Sequence, residues 1–305
     1  MSLTSQLSRF INSTPSGHPM DGHPTGKTEA LTAWRAAVTD TTYDMTQPHS
    51  ELEWQTPLET AVLCAIGEVV DPDSAYEPAQ GRDDLATILQ GKTQLGPVTP
   101  DGSRHSLLNI ALKANDPVTS KMLLAAGATW LPHENPVTAV VTGGTVDFGD
   151  PKARDLDRMK QCLIELQASG HDINQDIDGR PASVSVALEL LKRSRQSLNN
   201  PNTTAIMRDF YADTPGAIRA TAEAGIDYTA RDKDGVSTAS SVRSACLAEL
   251  GAPFKQEENQ ALNDAHRISR EISVMGKARA IIAKRAADQA AAKARIAASD
   301  RDSQR

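Results

Sequence analysis

Residues 174–179, Asn-Gln-Asp-Ile-Asp-Gly, put Asn174, Asp176 and Asp178 at alternate positions and then Gly179. That is the spacing with which a calcium loop wraps a hard cation in side-chain oxygens. The loop's closing position needs a bidentate Glu, and it falls on Ser185. Its first position is Asn where Asp is usual, so no metal is expected. Residues 22–28, Gly-His-Pro-Thr-Gly-Lys-Thr, come close to a phosphate cradle. They have one residue too few between the glycines, and no apolar strand precedes them.

The remaining reactive side chains are scattered. None of the seven His falls in a HExxH or metal-finger spacing, and His133-Glu134 is an isolated pair in an expected turn. No G-x-S-x-G elbow occurs. Cys64, Cys162 and Cys246 are far apart and sit in apolar helical stretches, which reads as buried free thiols in a reducing compartment. The acid pairs Asp155/Asp157 and Glu257/Glu258 read as helix starts and solvated faces. The expectation is a chain with no catalytic residue, no cofactor and no metal site.

The elements that carry these side chains follow from composition and pattern. Aromatics are only 4% of the 305 residues while Ala and Leu abound, which favours helices packed through small residues. No apolar run approaches the length of a membrane span. The net charge is −7, yet residues 276–305 carry eight Lys/Arg against three Asp. An apolar helix that ends in a small residue and Gly, followed by a polar turn, recurs. It appears at 122–130, 162–181, 217–235 and 246–254, and more weakly at 85–94. The shared glycines are Gly91, Gly127, Gly170, Gly225 and Gly251. Glycine there can take the left-handed conformation that closes a helix. A second landmark, a capped helix start, occurs at 56–62, 106–112, 135–141 and 182–188. Asp101-Gly102, Asp178-Gly179 and Asp234-Gly235 read as tight turns ahead of such starts.

Together these landmarks resemble the ankyrin repeat. The Thr-Pro-Leu-Glu-Thr-Ala of 56–61 matches its first-helix motif, and residues 169–174 and 224–235 match the turn that follows its second helix. The resemblance covers about residues 50–254. It implies an all-α, ankyrin-like helical solenoid of stacked helix pairs, because one pair cannot bury its apolar face alone. Ser106 to Gly127, 21 residues, is the regular spacing. The other pairs are longer, with insertions at 68–80, 143–155 and 194–214 between their two helices. The motif's His is replaced by Glu59, Asn109, Thr138 and Ser185.

We divide the chain into a Ser/Pro/Gly/His-rich tail at 1–28, a repeat domain at 29–254 and a C-terminal segment at 255–305. The repeat domain opens with a capping helix. The final segment is a long Ala-rich, basic helix whose stripe of Leu262, Ala265, Ile268, Ile272, Met275 and Ile282 docks on the last repeat or on a partner helix. The resemblance implies a non-catalytic protein-interaction scaffold. Its candidate partner-binding residues are Trp130, His133, Arg180, Arg231, Lys233 and Asp234 at turn tips, with Phe210 and Tyr211 in the longest insertion. Two alternatives stand beside it. One is an enzyme with its site in the insertions. The other is an adaptor that binds an acidic partner or nucleic acid through the basic tail, although nucleic acid is not the expected partner. A cytoplasmic setting is expected. The Ser-rich, acid-free first twenty residues leave open the alternative of a bacterial protein delivered into a host cell.

Overall fold

The computed structural model describes residues 57–66, 78–90, 95–97, 105–144, 155–199, 213–251, 254–277 and 284. Each of the four expected helix starts opens a helix, and a fifth helix follows them. Helix α1 is Pro57–Ile66, α3 is Leu107–Lys113, α5 is Pro136–Thr142, α7 is Ala182–Asn199 and α9 is Thr238–Leu250. Between them run α2 (Pro78–Leu89), α4 (Pro117–Ala125), α6 (Leu156–Ala168) and α8 (Thr214–Glu223), and residues 256–277 form α10. Among the described residues the structure is helical, with only isolated bridges in place of strands. None of these helices is long and apolar enough to cross a membrane.

The starts are held by side-chain oxygens on otherwise orphaned amides. Ser106 accepts from Asn109 N, Asn135 from Thr138 N, Asp155 from Arg158 N and Asp213 from Gly216 N. The ends are equally regular. After α4, α6 and α8, glycines at positive φ (Gly127 76°, Gly170 88°, Gly225 107°) close the helix. In each, the glycine N–H and the next N–H return to carbonyls of the last turn: Leu124 and Leu123, Gln167 and Leu166, Ala222 and Thr221. This is one Schellman closure used three times. Asn115 (φ 49°) performs the same closure after α3, and the next residue, Asp116, already caps α4.

Packing arranges the helices as two series of neighbours. Helix α1 touches α3, α3 touches α5, α5 touches α7 and α7 touches α9; likewise α2 meets α4, α4 meets α6 and α6 meets α8. Cross-contacts join α1 with α2, α3 with α4, α5 with α6 and α7 with α8. One apolar cluster runs through both series, with Leu58, Leu85, Leu108, Leu112, Leu123, Met159, Leu163 and Leu166 fully buried among alanines such as Ala61, Ala111, Ala187 and Ala217. Each such leucine contributes about 1.5–3 kcal/mol by leaving water. Small residues let backbones approach. A Cβ on Gly143 would sit 2.0 Å from the Lys113 carbonyl oxygen, which accepts the Gly144 N–H.

Charges link the second series. The buried Asp116 caps α4 through Val118 N and Thr119 N, and its other oxygen accepts from Arg82 of α2 at 3.1 Å and Arg158 of α6 at 3.3 Å. Further pairs continue the chain: Lys121–Glu165, Lys160–Glu223 and Arg219–Asp264.

Several readings from the sequence change here. Gly251 (φ 62°) closes α9, which neighbours α7 and so belongs with the first helices. Helix α10, expected to dock on the last repeat or on a partner helix, packs on the common core and bonds to α8 and the turn after it. Its Ala261, Leu262 and Ala265 are buried in the common core, and Ser269 Oγ donates to Ile226 O and accepts from Tyr228 N. Of the expected stripe, Ile272 and Met275 are exposed and Ile282 lies outside the described residues. Residues 194–199 are not insertion but the last stretch of α7. Arg195 holds it there by pairing at 3.1 Å with Glu258, a buried carboxylate that also accepts Lys255 N. Glu258 therefore starts a helix, as expected, but is not solvated. The tail at 1–28, the capping helix near 29–39 and most of the insertions lie outside the described residues.

Candidate functional site

Neighbouring turns between helix pairs touch one another. In the stretch that mimics a calcium loop, Ile177 and Arg180 exchange both backbone hydrogen bonds, at 2.8 and 3.1 Å. Asp178 (φ 53°) and Gly179 (φ 75°) make the two-residue turn between them, which needs positive φ at both positions. Ser185, the would-be closing ligand, donates its hydroxyl to Ile177 O at 3.2 Å. Thr238 does the same to Ala230 O at 2.9 Å. Asn174 reaches to the following turn: Nδ2 donates to Gly225 O at 3.0 Å and Oδ1 accepts Asp227 N at 2.7 Å. The Asn side chain thus supplies a rung between neighbouring turns, and its oxygen is committed to an amide. Among the described residues no cluster of three or more His, Cys, Asp or Glu is placed to hold a metal ion.

Two depressions open beside these turns. One, of about 320 Å³, is lined by Thr138, Arg180, Ser185, Leu188, Glu189, Lys192 and Glu249 among others. Arg180, an expected tip residue, reaches Glu249 at 2.8 Å, with both side chains about half exposed. Glu189 accepts from Arg193 at 3.0 Å and lies 3.9 Å from Lys192. These pairs are exposed or part-exposed and worth little to stability, so they can be exchanged for partner charges at small cost.

The second, of about 230 Å³, is lined by Trp130, Glu134, Pro136, His171, Asp172, Gln175 and Asp176 with their neighbours. Trp130 is half-buried against the core and meets His171 edge-on, ring centres 4.4 Å apart. Burial pushes the His171 imidazole below its ordinary pKa, so it is neutral at pH 7. Burial alone would raise Glu134, but hydrogen bonds from Ser106, Leu131 and His105 outweigh it and hold the carboxyl low. Glu134 thus ties the start of α3 to the next turn.

The other expected tips divide. His133 is exposed. Arg231 turns back to donate to Gly235 O at 2.6 Å, while Lys233 and Asp234 are exposed on the same turn. Asp232 holds that turn, accepting from Asp234 N, Val236 N and Ser241 Oγ. Phe210 and Tyr211 lie outside the described residues. Residues the sequence reading missed are Glu189, Lys192 and Glu249, because α7 and α9 bring them to the Arg180 tip only in three dimensions. His171 and Asp172 were visible only as part of the turn.

The buried thiols offer no nucleophile. Burial pushes Cys162 up to about 12, and Cys246 is also raised by burial. Compared with known proteins, no family model, no curated protein and no solved structure matches this chain.

Proposed function

We propose that the chain is an ankyrin-type solenoid that acts as a non-catalytic scaffold for another protein, gripping it along the turn tips and the open face of the first helices. The observation that carries this reading is the repeated joint. The Schellman glycines Gly127, Gly170 and Gly225 close three successive helices in the same way, and each is followed by a turn and a new helix. A stack of this kind presents an extended concave surface. The depression around Arg180, Lys192, Glu189 and Glu249 lies on that surface with charges of both signs. The buried free thiols Cys162 and Cys246 fit a reducing, cytoplasmic setting, whether of the producing cell or of a host.

The test is affinity capture with the full chain as bait, because α10 packs on the common core. Capture with wild type is compared with the Arg180→Glu/Lys192→Glu double variant. A specific protein retained by wild type and lost by the variant, with unchanged thermal unfolding, is the expected result. A partner retained equally by both removes this face from the account.

A further inference from the structure

We propose that the cavity beside Trp130 is an anchor site for an arginine side chain of the partner protein. This rests on the scaffold reading above and names the chemistry of one contact in it. The lining carries the carboxylates of Glu134, Asp172 and Asp176 and no Lys or Arg. His171, the one basic group there, is kept neutral by burial. The cavity therefore faces solvent with a net negative charge at pH 7.

The roles of the three acids differ. Glu134 already accepts from Ser106 N, Ser106 Oγ and Leu131 N, so it contributes field and not a vacant acceptor. Asp172 uses Oδ1 to accept Asn174 N at 2.9 Å. Asp176 is exposed and forms no ion pair among the described residues. Asp172 and Asp176 are thus the groups available to a guanidinium, beside an indole. Arg suits such a place better than Lys, since its planar, weakly hydrated head stacks on aromatic rings and bonds carboxylates in a fork. The volume, about 230 Å³, admits one long side chain. It falls short of the roughly 300–1,000 Å³ of sites that enclose drug-sized ligands.

The test titrates the uniformly 15N-labelled full chain with the peptide acetyl-Gly-Arg-Arg-Gly-amide and follows the Trp130 indole N–H, assigned by Trp130→Phe. Matched Lys and Glu peptides are run beside it. The expected result is a saturable shift with the Arg peptide and none with the Glu peptide. Asp172→Asn/Asp176→Asn should weaken Arg-peptide binding by about fivefold or more. Both acids are exposed, and the amide introduced at position 172 keeps an acceptor for the Asn174 N–H, so the variant folds as wild type. No shift, an equal shift with the Glu peptide, or equal binding by the variant overturns the proposal. An equally tight Lys peptide overturns the choice of arginine. These failures leave partner capture through Arg180 and Lys192 untouched, so the two readings fail separately.

Discussion

Asn174→Ala removes the side-chain rung between neighbouring turns and tests whether that contact holds the stack. Two hydrogen bonds are lost, Nδ2 to Gly225 O at 3.0 Å and Asp227 N to Oδ1 at 2.7 Å. A typical internal hydrogen bond contributes about 0.5–1.5 kcal/mol net. Both bonds are only part-buried, so water takes over a share, and the expected loss is about 1–2 kcal/mol in all. For a chain of this size that corresponds to a fall in Tm of roughly 2–4 °C per kcal/mol. A metal-loop role predicts a different pattern, namely stability that depends on added calcium in wild type and not in the variant. The assay is denaturant unfolding with and without calcium, paired with amide exchange read at Asp227. Faster exchange at Asp227 and a lower midpoint, with calcium inert throughout, is the expected outcome. An unchanged midpoint together with undiminished protection of the Asp227 amide refutes the reasoning. Asp176→Asn, two residues away and exposed, is the control and should leave stability unchanged.

Gly143→Ala drives a methyl group to 2.0 Å from the Lys113 carbonyl oxygen, a backbone atom that cannot swing aside. Overpacking of this kind costs about 1–3 kcal/mol, and thermal unfolding of the variant measures it. Asp116→Ala removes the cap of α4 and the shared acceptor of Arg82 and Arg158; about 2–4 kcal/mol is expected, since both arginines keep partial access to water. Asp116→Asn, which retains an acceptor for Val118 N and Thr119 N, should lie between that and wild type in the same melt. His171 has a folded pKa below its unfolded one, so the folded chain binds fewer protons. Its contribution is complete above the unfolded value of about 6.5 and is lost as pH falls below it. Stability measured from about pH 7.5 downward should therefore decline through that range, and His171→Gln should flatten the slope whatever its absolute stability.

Local chemistry was the legible part. Ser106, Asn135, Asp155 and the glycines at 127, 170 and 225 announce helix ends because a cap is satisfied within a few residues of itself. The Asp178-Gly179 turn is read the same way, from the φ values it needs. What escaped depends on partners distant in the chain. The polar run after Leu191 looks like a loop until Arg195 meets Glu258, 63 residues on, and lengthens α7. Helix α9, whose apolar pattern is weak and leaves Leu247 exposed, joins the first series because it packs against α7. Asp116 was not singled out in the sequence, because only the fold brings Arg82 and Arg158 to it. At the candidate site, Trp130 stood out as an aromatic at a turn tip. Of its companions, Asp172 was visible only as part of a turn, and Asp176 was absorbed into an apparent metal loop.

The stacked arrangement itself is tested most directly by spin-label distances along the second series. Nitroxides are placed on exposed positions of α2, α4 and α8, at Asp83, Lys121 and Glu223, in a background with Cys64, Cys162 and Cys246 replaced by Ala. Packed helices lie about 8–10 Å apart. The Lys121–Glu223 pair spans two steps, about 16–20 Å, and the Asp83–Glu223 pair spans three, about 24–30 Å before label length. A stack predicts that separation grows with each step. Equal distances for the two pairs would mean that the helices fold back into a closed bundle, and would contradict it.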